Sequence, residues 1–265
     1  MAFGEGGKRM LWSWLRLAAA AVGLTGVIAG FVVNVDRATR QSQDLWAVLA
    51  NYFSLFTIIT TIITVVVLTV AATWSMRNPG TSPEPFRVAL GIAVVTGPMI
   101  LLGIVFNVLL RGPASGPALT DPPFIGFLDS WATETLHVVL PLYLLVDLLF
   151  AARRRGLPWW TLVVLVGYPL VWIVYTMIRG ELTPDPSGTP AWWYPYPFLD
   201  PHGEGGWASS FTYIGVLLGA LVGIGAIVIA IGRFRENRAA RRSGGAAGAA
   251  AQPAGMTPQG DLVES

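Results

Sequence analysis

The chain alternates long apolar runs with short polar segments. Six runs are bounded by charge, proline or glycine: Leu11–Val33, Leu45–Trp74, Pro85–Leu110, Trp131–Ala152, Pro158–Ile178 and Ala208–Gly232. A helix needs about 20 mostly apolar residues to cross the hydrocarbon core of a bilayer. The pattern therefore predicts an all-α, polytopic bundle of six transmembrane helices within residues 10–238. Residues 1–9 and 239–265 are small, polar and featureless, and we expect both segments to be disordered and cytoplasmic.

The composition excludes a soluble protein. Hydrophobic residues make up 54% of the chain and charged residues only 12%, about half the charged share of soluble domains. The chain has no cysteine, which excludes disulfides, thiolate catalysis and cysteine-ligated metals. No nucleotide-binding or metalloprotease motif stands in a workable context. We therefore expect no cofactor, no metal and no nucleic-acid partner.

The basic residues predict the orientation in the membrane. Thirteen of the 17 fall on one predicted side, near the start of the first run, near the end of the sixth run, and around the loops after the second and fourth runs. The positive-inside rule then places both termini in the cytoplasm. An even number of spans also requires both termini to share one side, so the two arguments agree.

A polar stripe marks the second run. Its members follow at steps of three or four residues, which places them on one face of a helix: Asn51, Ser54, Thr57, Thr61 and Thr64. We expect this face to point into the bundle. The alternative is a packing role, since Ser and Thr hydroxyls can bind carbonyls of their own helix.

The fourth run carries the sharpest chemical signal. His137 is the only histidine in a predicted span, and Glu134 precedes it by one helical turn. Pro141 has no N–H for the carbonyl of His137, so we expect a loosened helix and a free acceptor there. The Glu134–His137 pair favours an acid/base or proton site. The alternative is a hydrogen-bonded histidine without chemistry.

Depth predicts that these features meet. Spans two and four run in the same direction, and Thr57 and His137 fall in the outer half of the bilayer at 1.5 Å per residue. Asn107, Arg179 and Tyr213 lie near the same level. We therefore expect a polar pocket in the outer half of the bundle.

Four segments resemble the signatures of a bacterial six-span membrane family. They are Asn51–Thr57 (NYFSLFT), Leu136–Pro141 (LHVVLP), Tyr168–Gly180 with Tyr175 and Arg179, and Tyr194–Asp200 (YPYPFLD). That family is distantly similar to the androgen-induced and androgen-dependent membrane proteins of animals, which hydrolyse fatty-acid esters with an intramembrane threonine and histidine. The resemblance implies Thr57 as nucleophile, with Thr60 and Thr61 as alternatives, and His137 as its partner. It also implies a multi-pass protein of the bacterial inner membrane.

Three functions follow from these patterns. As a lipid-ester hydrolase, the chain would use Thr57 as nucleophile, His137 as base and Glu134 to orient the ring. Asn51, Ser54, Thr61, Asn107, Tyr175, Arg179 and Tyr213 would line the substrate pocket. As a proton-coupled transporter, it would use Glu134 and His137 as a relay. As a structural protein, all these groups would serve packing.

The expected partners are membrane lipids and a lipid ester. Gly26 and Gly30 in the first run, and Gly215, Gly219 and Gly223 in the sixth, predict close helix packing. These glycine seams are also candidate surfaces for a homo-oligomer.

Overall fold

Eight α-helices form the protein in a computed structural model that describes residues 5–78, 82–112, 116–152 and 154–250. They are α1 (Glu5–Arg40), α2 (Leu45–Ser54), α3 (Phe56–Arg77), α4 (Phe86–Val105), α5 (Pro123–Glu134), α6 (Leu140–Phe150), α7 (Thr161–Leu182) and α8 (Gly206–Ala250). Two π-helical segments, Phe106–Leu110 and Thr135–Val139, follow α4 and α5, and Pro197–Leu199 forms a 3₁₀ turn. The described residues contain no β-strand.

Six helical segments are long and apolar enough to cross a membrane. They are Gly6–Arg40, Phe56–Arg77, Phe86–Leu110, Pro123–Phe150, Thr161–Leu182 and Gly206–Arg242. This confirms the predicted all-α architecture with six candidate spans. The fourth span begins eight residues before the predicted Trp131, because Pro123 starts α5 at its first turn, a position where the missing N–H of proline costs nothing.

Both ends of the predicted domain are longer than expected. α1 includes residues 5–9, and α8 continues through residues 239–250, so both helices extend into segments that the sequence predicts to be disordered. Each residue added to an existing helix gains a hydrogen bond without the cost of nucleation, and alanine-rich sequence such as that after Ser243 favours helix. Residues 1–4 and 251–265 lie outside the described residues.

The core lies between α1, α3, α4 and α6. Small residues on α1, Ala19 and Ala20, pack in one buried cluster with Leu68, Met99 and Leu144. α4 occupies the centre, where it contacts α3, α6, α7 and α8. This arrangement leaves one face of α8 turned towards α4 and α7 and the other face exposed.

The two glycine seams have different surroundings. A Cβ on Gly26 would lie 3.0 Å from Leu136 and Thr135 side-chain atoms, and one on Gly30 would lie 2.9 Å from the Tyr52 hydroxyl. The seam on α1 therefore packs inside the chain, as predicted. A Cβ on Gly215, Gly219 or Gly223 would meet no described atom within 4 Å, so the α8 seam lies on the exposed face.

A buried ion cluster joins α1 to α6 at the end of the bundle where α1 begins and α6 ends. Arg16 donates to Asp147 at 2.8 Å and to Glu84 at 2.6 Å, and Arg154 donates to Asp147 at 2.9 Å. Arg16 and Glu84 are each 2% exposed, and Asp147 is fully buried. Buried charges of this kind need close partners, because removal from water is costly.

Candidate active site

The second predicted span is broken at Leu55. Leu55 has extended backbone angles (φ −62°, ψ 131°), so α2 ends at Ser54 and α3 begins at Phe56. The indole Nε1 of Trp172 donates to the main-chain carbonyl of Ser54 at 3.0 Å. In a continuous helix that carbonyl would accept from the N–H of Ile58, so the indole stabilises the break. The prediction of one unbroken helix over Leu45–Trp74 is wrong here.

Thr57 consequently lies in the first turn of α3. The first N–H groups of a helix have no partner within it and carry the positive end of the helix dipole. Thr57 is 6% exposed, so these groups stand inside the bundle. The rest of the predicted stripe is also buried: Asn51, Ser54, Thr61 and Thr64. The prediction that the stripe points into the bundle is confirmed despite the break.

The helix around His137 is loosened as Pro141 predicts. Residues Thr135–Val139 form a π-helical segment directly before α6, and such segments interrupt helices where the regular ladder cannot continue. The carbonyl of His137 accepts from Nδ2 of Asn107 at 3.2 Å. The acceptor that the sequence predicts to be free of its helical partner thus exists, and a side chain of the preceding span satisfies it.

The structure brings Thr57 and His137 together. Oγ1 of Thr57 lies 3.5 Å from Nε2 of His137, at the long end of hydrogen-bond range. Nδ1 of His137 lies 2.9 Å from the carbonyl oxygen of Thr133. A carbonyl can only accept, so Nδ1 carries the proton of the neutral ring and Nε2 is the acceptor that faces Thr57. The Phe106 ring stacks on the imidazole at 3.8 Å and fixes its plane.

Tyr196 is the third polar group beside Thr57. Its hydroxyl lies 3.3 Å from Oγ1 of Thr57. Burial raises the pKa of Tyr196 above its ordinary value, whereas the Thr57 hydroxyl and the main-chain N–H groups of Thr57 and Phe56 oppose that rise. The phenol therefore keeps its proton at neutral pH.

These polar groups open into an apolar cavity between α4, α7 and α8. It holds about 680 Å³ of empty space, including its open mouth. Its walls include Phe106, Trp172, Phe198, Leu218 and Leu221. The indole N–H of Trp172 is used by Ser54, so Thr57, His137 and Tyr196 supply the polar side-chain groups that remain. Such a site suits a long apolar ligand with one polar group.

Glu134 does not orient His137. Its carboxylate accepts two hydrogen bonds from Arg111, at 2.7 and 3.0 Å, on the surface of the bundle. The side chain is 51% exposed. The π-helical segment begins at Thr135 and widens the turn, which changes the angular relation expected three residues apart on an α-helix. The main-chain carbonyl of Thr133 takes the orienting role that was predicted for Glu134.

Four predicted pocket residues form a polar layer next to Thr57 rather than the wall of the cavity. Asn51 accepts from Nη2 of Arg179 at 2.7 Å. The hydroxyls of Ser54 and Tyr175 are 2.8 Å apart. Ser54, Tyr175 and Arg179 line a narrow cleft separate from the cavity. This layer connects α2 to α7 on the α2 side of the helix break.

The other predicted residues do not line the cavity. Thr61 is fully buried, and its hydroxyl has no hydrogen-bond partner among the described residues. Thr60 binds Tyr168 at 2.8 Å, so neither threonine takes the place of Thr57 beside His137. Asn107 supports the His137 carbonyl from the surface. The exposed Tyr213 contacts the Phe198 ring at 5.8 Å between centroids.

Sequence reasoning missed Tyr196, Phe106 and Trp172 as site residues. Trp172 was the one tryptophan well inside a predicted span, which was a usable signal, since indoles prefer the membrane interface. Tyr196 lies in the YPYPFLD segment, but no pattern in that segment distinguishes it from Tyr194.

Comparison of the chain with protein-family models, curated proteins and solved structures found no match.

Proposed function

We propose that this chain is a multi-pass protein of a bacterial cell membrane that hydrolyses a lipid carboxylic ester. Thr57 is the nucleophile and His137 is the general base. The observation that carries the proposal is the 3.5 Å approach of Thr57 Oγ1 to the acceptor nitrogen of His137 at an apolar cavity. A threonine hydroxyl becomes an effective nucleophile when a base within reach takes its proton. The resemblance to the intramembrane threonine hydrolases points to the same pair.

The proposed reaction proceeds through an acyl-enzyme. Oγ1 of Thr57 attacks the ester carbonyl carbon while its proton passes to Nε2 of His137. The tetrahedral intermediate collapses, the ester C–O bond breaks, and His137 returns the proton to the leaving alcohol oxygen. Water then attacks the acyl group with His137 as base, which releases the fatty acid and restores Thr57. The distance shortens when substrate binds, as is common for catalytic hydrogen bonds.

The start of α3 suits the negative charge that develops on the carbonyl oxygen. The hydroxyl of Tyr196 lies 3.3 Å from Oγ1 of Thr57 in the first turn of α3, so an ester oxygen placed beside it would face the phenol proton and the first N–H groups of that helix. Donors fixed in advance at such a position are a large part of catalysis in acyl transfer. The helix break at Leu55 is what exposes these donors inside the bundle.

The placement of Glu134 favours the hydrolase over the transporter alternative. A relay would need the acid next to the histidine within the bundle, whereas Glu134 pairs with Arg111 at the surface. Thr57 and the stacked Phe106 ring contact His137 instead, and Tyr196 lies beside Thr57. The apolar walls are suited to an acyl chain and give no path for a proton.

The test is hydrolysis of a long-chain ester by purified protein in detergent. Thr57→Ala should abolish activity, and His137→Ala should reduce it by about 10²–10⁴-fold. Thr57→Ser keeps a hydroxyl and should retain measurable activity. Thr61→Ala, a buried threonine of the same helix away from the cavity, is the matched control and should behave as wild type. Activity close to that of wild type in His137→Ala would refute the mechanism.

A covalent probe tests the nucleophile directly. A fluorophosphonate should label the wild-type protein at Thr57, and peptide mapping should locate the adduct there. Labelling at Thr60 would assign the nucleophile to that residue instead. Absence of labelling together with absence of hydrolysis would favour a structural role.

We also propose that both termini lie in the cytoplasm, because thirteen of the 17 basic residues fall on that predicted side. Reporter fusions after Arg77, Arg155 and Arg242 should all report cytoplasm. A fusion after Gly188, in the segment between α7 and α8, should report the opposite side. Any inverted result would contradict this orientation.

A further inference from the structure

A basic groove lies at the end of the bundle away from Thr57. It runs between the start of α1, the end of α6 and the last part of α8, and holds about 1900 Å³ of empty space including its open mouth. Five cationic side chains line it: Lys8, Arg154, Arg235, Arg238 and Arg242. None of the described lining residues is acidic.

The groove changes from apolar to basic along both helices that form it. On α8, Ile231, Arg235, Arg238 and Arg242 follow at steps of four, three and four residues, so they share one face. The apolar member lies at the end of the apolar run Ala208–Gly232, and the three arginines follow about 6 to 16 Å further along the helix at 1.5 Å per residue. On α1, Trp12 and Lys8 repeat the same order, four residues apart.

The apolar part of the groove is uncovered in the chain itself. Phe150 at the end of α6 is 63% exposed, and Phe234 on α8 is 64% exposed. Leu149 and Trp12 complete this wall. A small soluble anion would leave these side chains bare, whereas an acyl chain would cover them.

The buried ion cluster beneath the groove does not offset its charge. Within that cluster, Asp147 and Glu84 are matched by Arg16 and Arg154. The other four groove cations therefore lie outside this balance.

We propose that this groove binds an anionic phospholipid. Its phosphate lies among Lys8, Arg238 and Arg242, where charge-assisted hydrogen bonds from guanidinium groups are strongest, and an acyl chain lies against Phe150 and Phe234. Basic pockets between transmembrane helices suit acidic headgroups. The gradient along α1 and α8 matches the order of a phospholipid, with its chains in the membrane and its phosphate at the surface.

The experiment measures lipid binding by the full-length protein in detergent. Phosphatidylglycerol should raise the unfolding temperature of wild type, because a ligand that binds only the folded state stabilises it. Phosphatidylcholine and inorganic phosphate serve as comparison probes. The double variant Arg238→Gln/Arg242→Gln should bind phosphatidylglycerol more weakly, by about fivefold for each cation removed. Native mass spectrometry should show the corresponding loss of retained lipid.

The matched control is Arg77→Gln/Arg87→Gln. Both residues are exposed at the same end of the bundle but lie outside the groove, so this variant should bind the lipid like wild type. Equal lipid binding by the groove variant would overturn the proposal. An equal effect of inorganic phosphate would also overturn it, because the groove would then be a site for soluble anions. Equal weakening in both double variants would indicate general surface attraction.

Discussion

Replacing Arg16 with methionine should destabilise the bundle by about 3 kcal/mol. Arg16 is 2% exposed and holds two buried carboxylates, at 2.8 Å for Asp147 and 2.6 Å for Glu84. Removing one partner of a buried ion pair typically costs 3–5 kcal/mol, since the remaining charge is uncompensated. Methionine is chosen because it fills most of the volume of arginine and so isolates the loss of charge.

The lower end of that range follows from what remains after the change. Asp147 keeps Arg154 at 2.9 Å, so its loss is partial. Glu84 loses the ion pair that holds Oε1, and its Oε2 already has no partner among the described residues. Most of the cost therefore falls on Glu84. In the double variant Arg16→Met/Glu84→Gln, we expect a coupling free energy of at least about 1 kcal/mol.

The measurement is reversible denaturant unfolding in mixed micelles, followed by helical circular dichroism. Arg87→Met, at an exposed position of α4, is the control and should change the free energy of unfolding by less than about 0.5 kcal/mol. A loss below about 1 kcal/mol for Arg16→Met would refute the reasoning. Strict additivity of the double variant would show that Arg16 and Glu84 do not interact energetically.

Three further results are expected. Tyr196→Phe should lower kcat for ester hydrolysis by about tenfold to a hundredfold with little change in KM, because it removes a hydroxyl 3.3 Å from Thr57. Tyr213→Phe is the control. An unchanged kcat in Tyr196→Phe would exclude a catalytic role for the Tyr196 hydroxyl. Trp172→Phe should lower the free energy of unfolding by about 1–2 kcal/mol, because the buried Ser54 carbonyl loses its indole donor. A smaller loss would mean that the helix break at Leu55 does not depend on this hydrogen bond. Arg37 holds the pKa of Asp121 well below its ordinary 3.8, so this carboxylate contributes stability above that value and loses it as the pH falls further. Below pH 3.8, the free energy of unfolding should therefore fall less steeply with decreasing pH in Asp121→Asn than in wild type. Identical pH dependences in the two proteins would contradict the assignment.

Local rules account for the features that the sequence predicted correctly. The six spans follow from the length of apolar runs, which the thickness of a bilayer sets independently of how helices pack. The loosened helix at His137 follows from the missing N–H of Pro141, a covalent property of the chain. The buried polar stripe follows from helical periodicity, and it survives the break because α2 and α3 remain on the same side of the bundle.

The meeting of Thr57 and His137 was within reach of the sequence for a related reason. Two spans that run in the same direction have predictable depths at 1.5 Å per residue. Depth alone leaves the angular position open, since any of several helices could stand between them. The packing of α3, α4 and the Thr135–Val139 segment settles that position, with Gly103 allowing α4 to approach the His137 carbonyl closely.

Only the tertiary structure decided which groups surround the threonine. The break at Leu55 depends on an indole that binds the Ser54 carbonyl from 118 residues further along the chain, and no local pattern encodes such a partner. Glu134 turns to Arg111 rather than His137 because an exposed ion pair is available across the loop. Tyr196 reaches Thr57 from a segment outside the six spans. Each of these contacts joins positions that are distant in sequence, so its geometry depends on the packing of several helices at once. Each span, in contrast, depends only on the residues of its own segment.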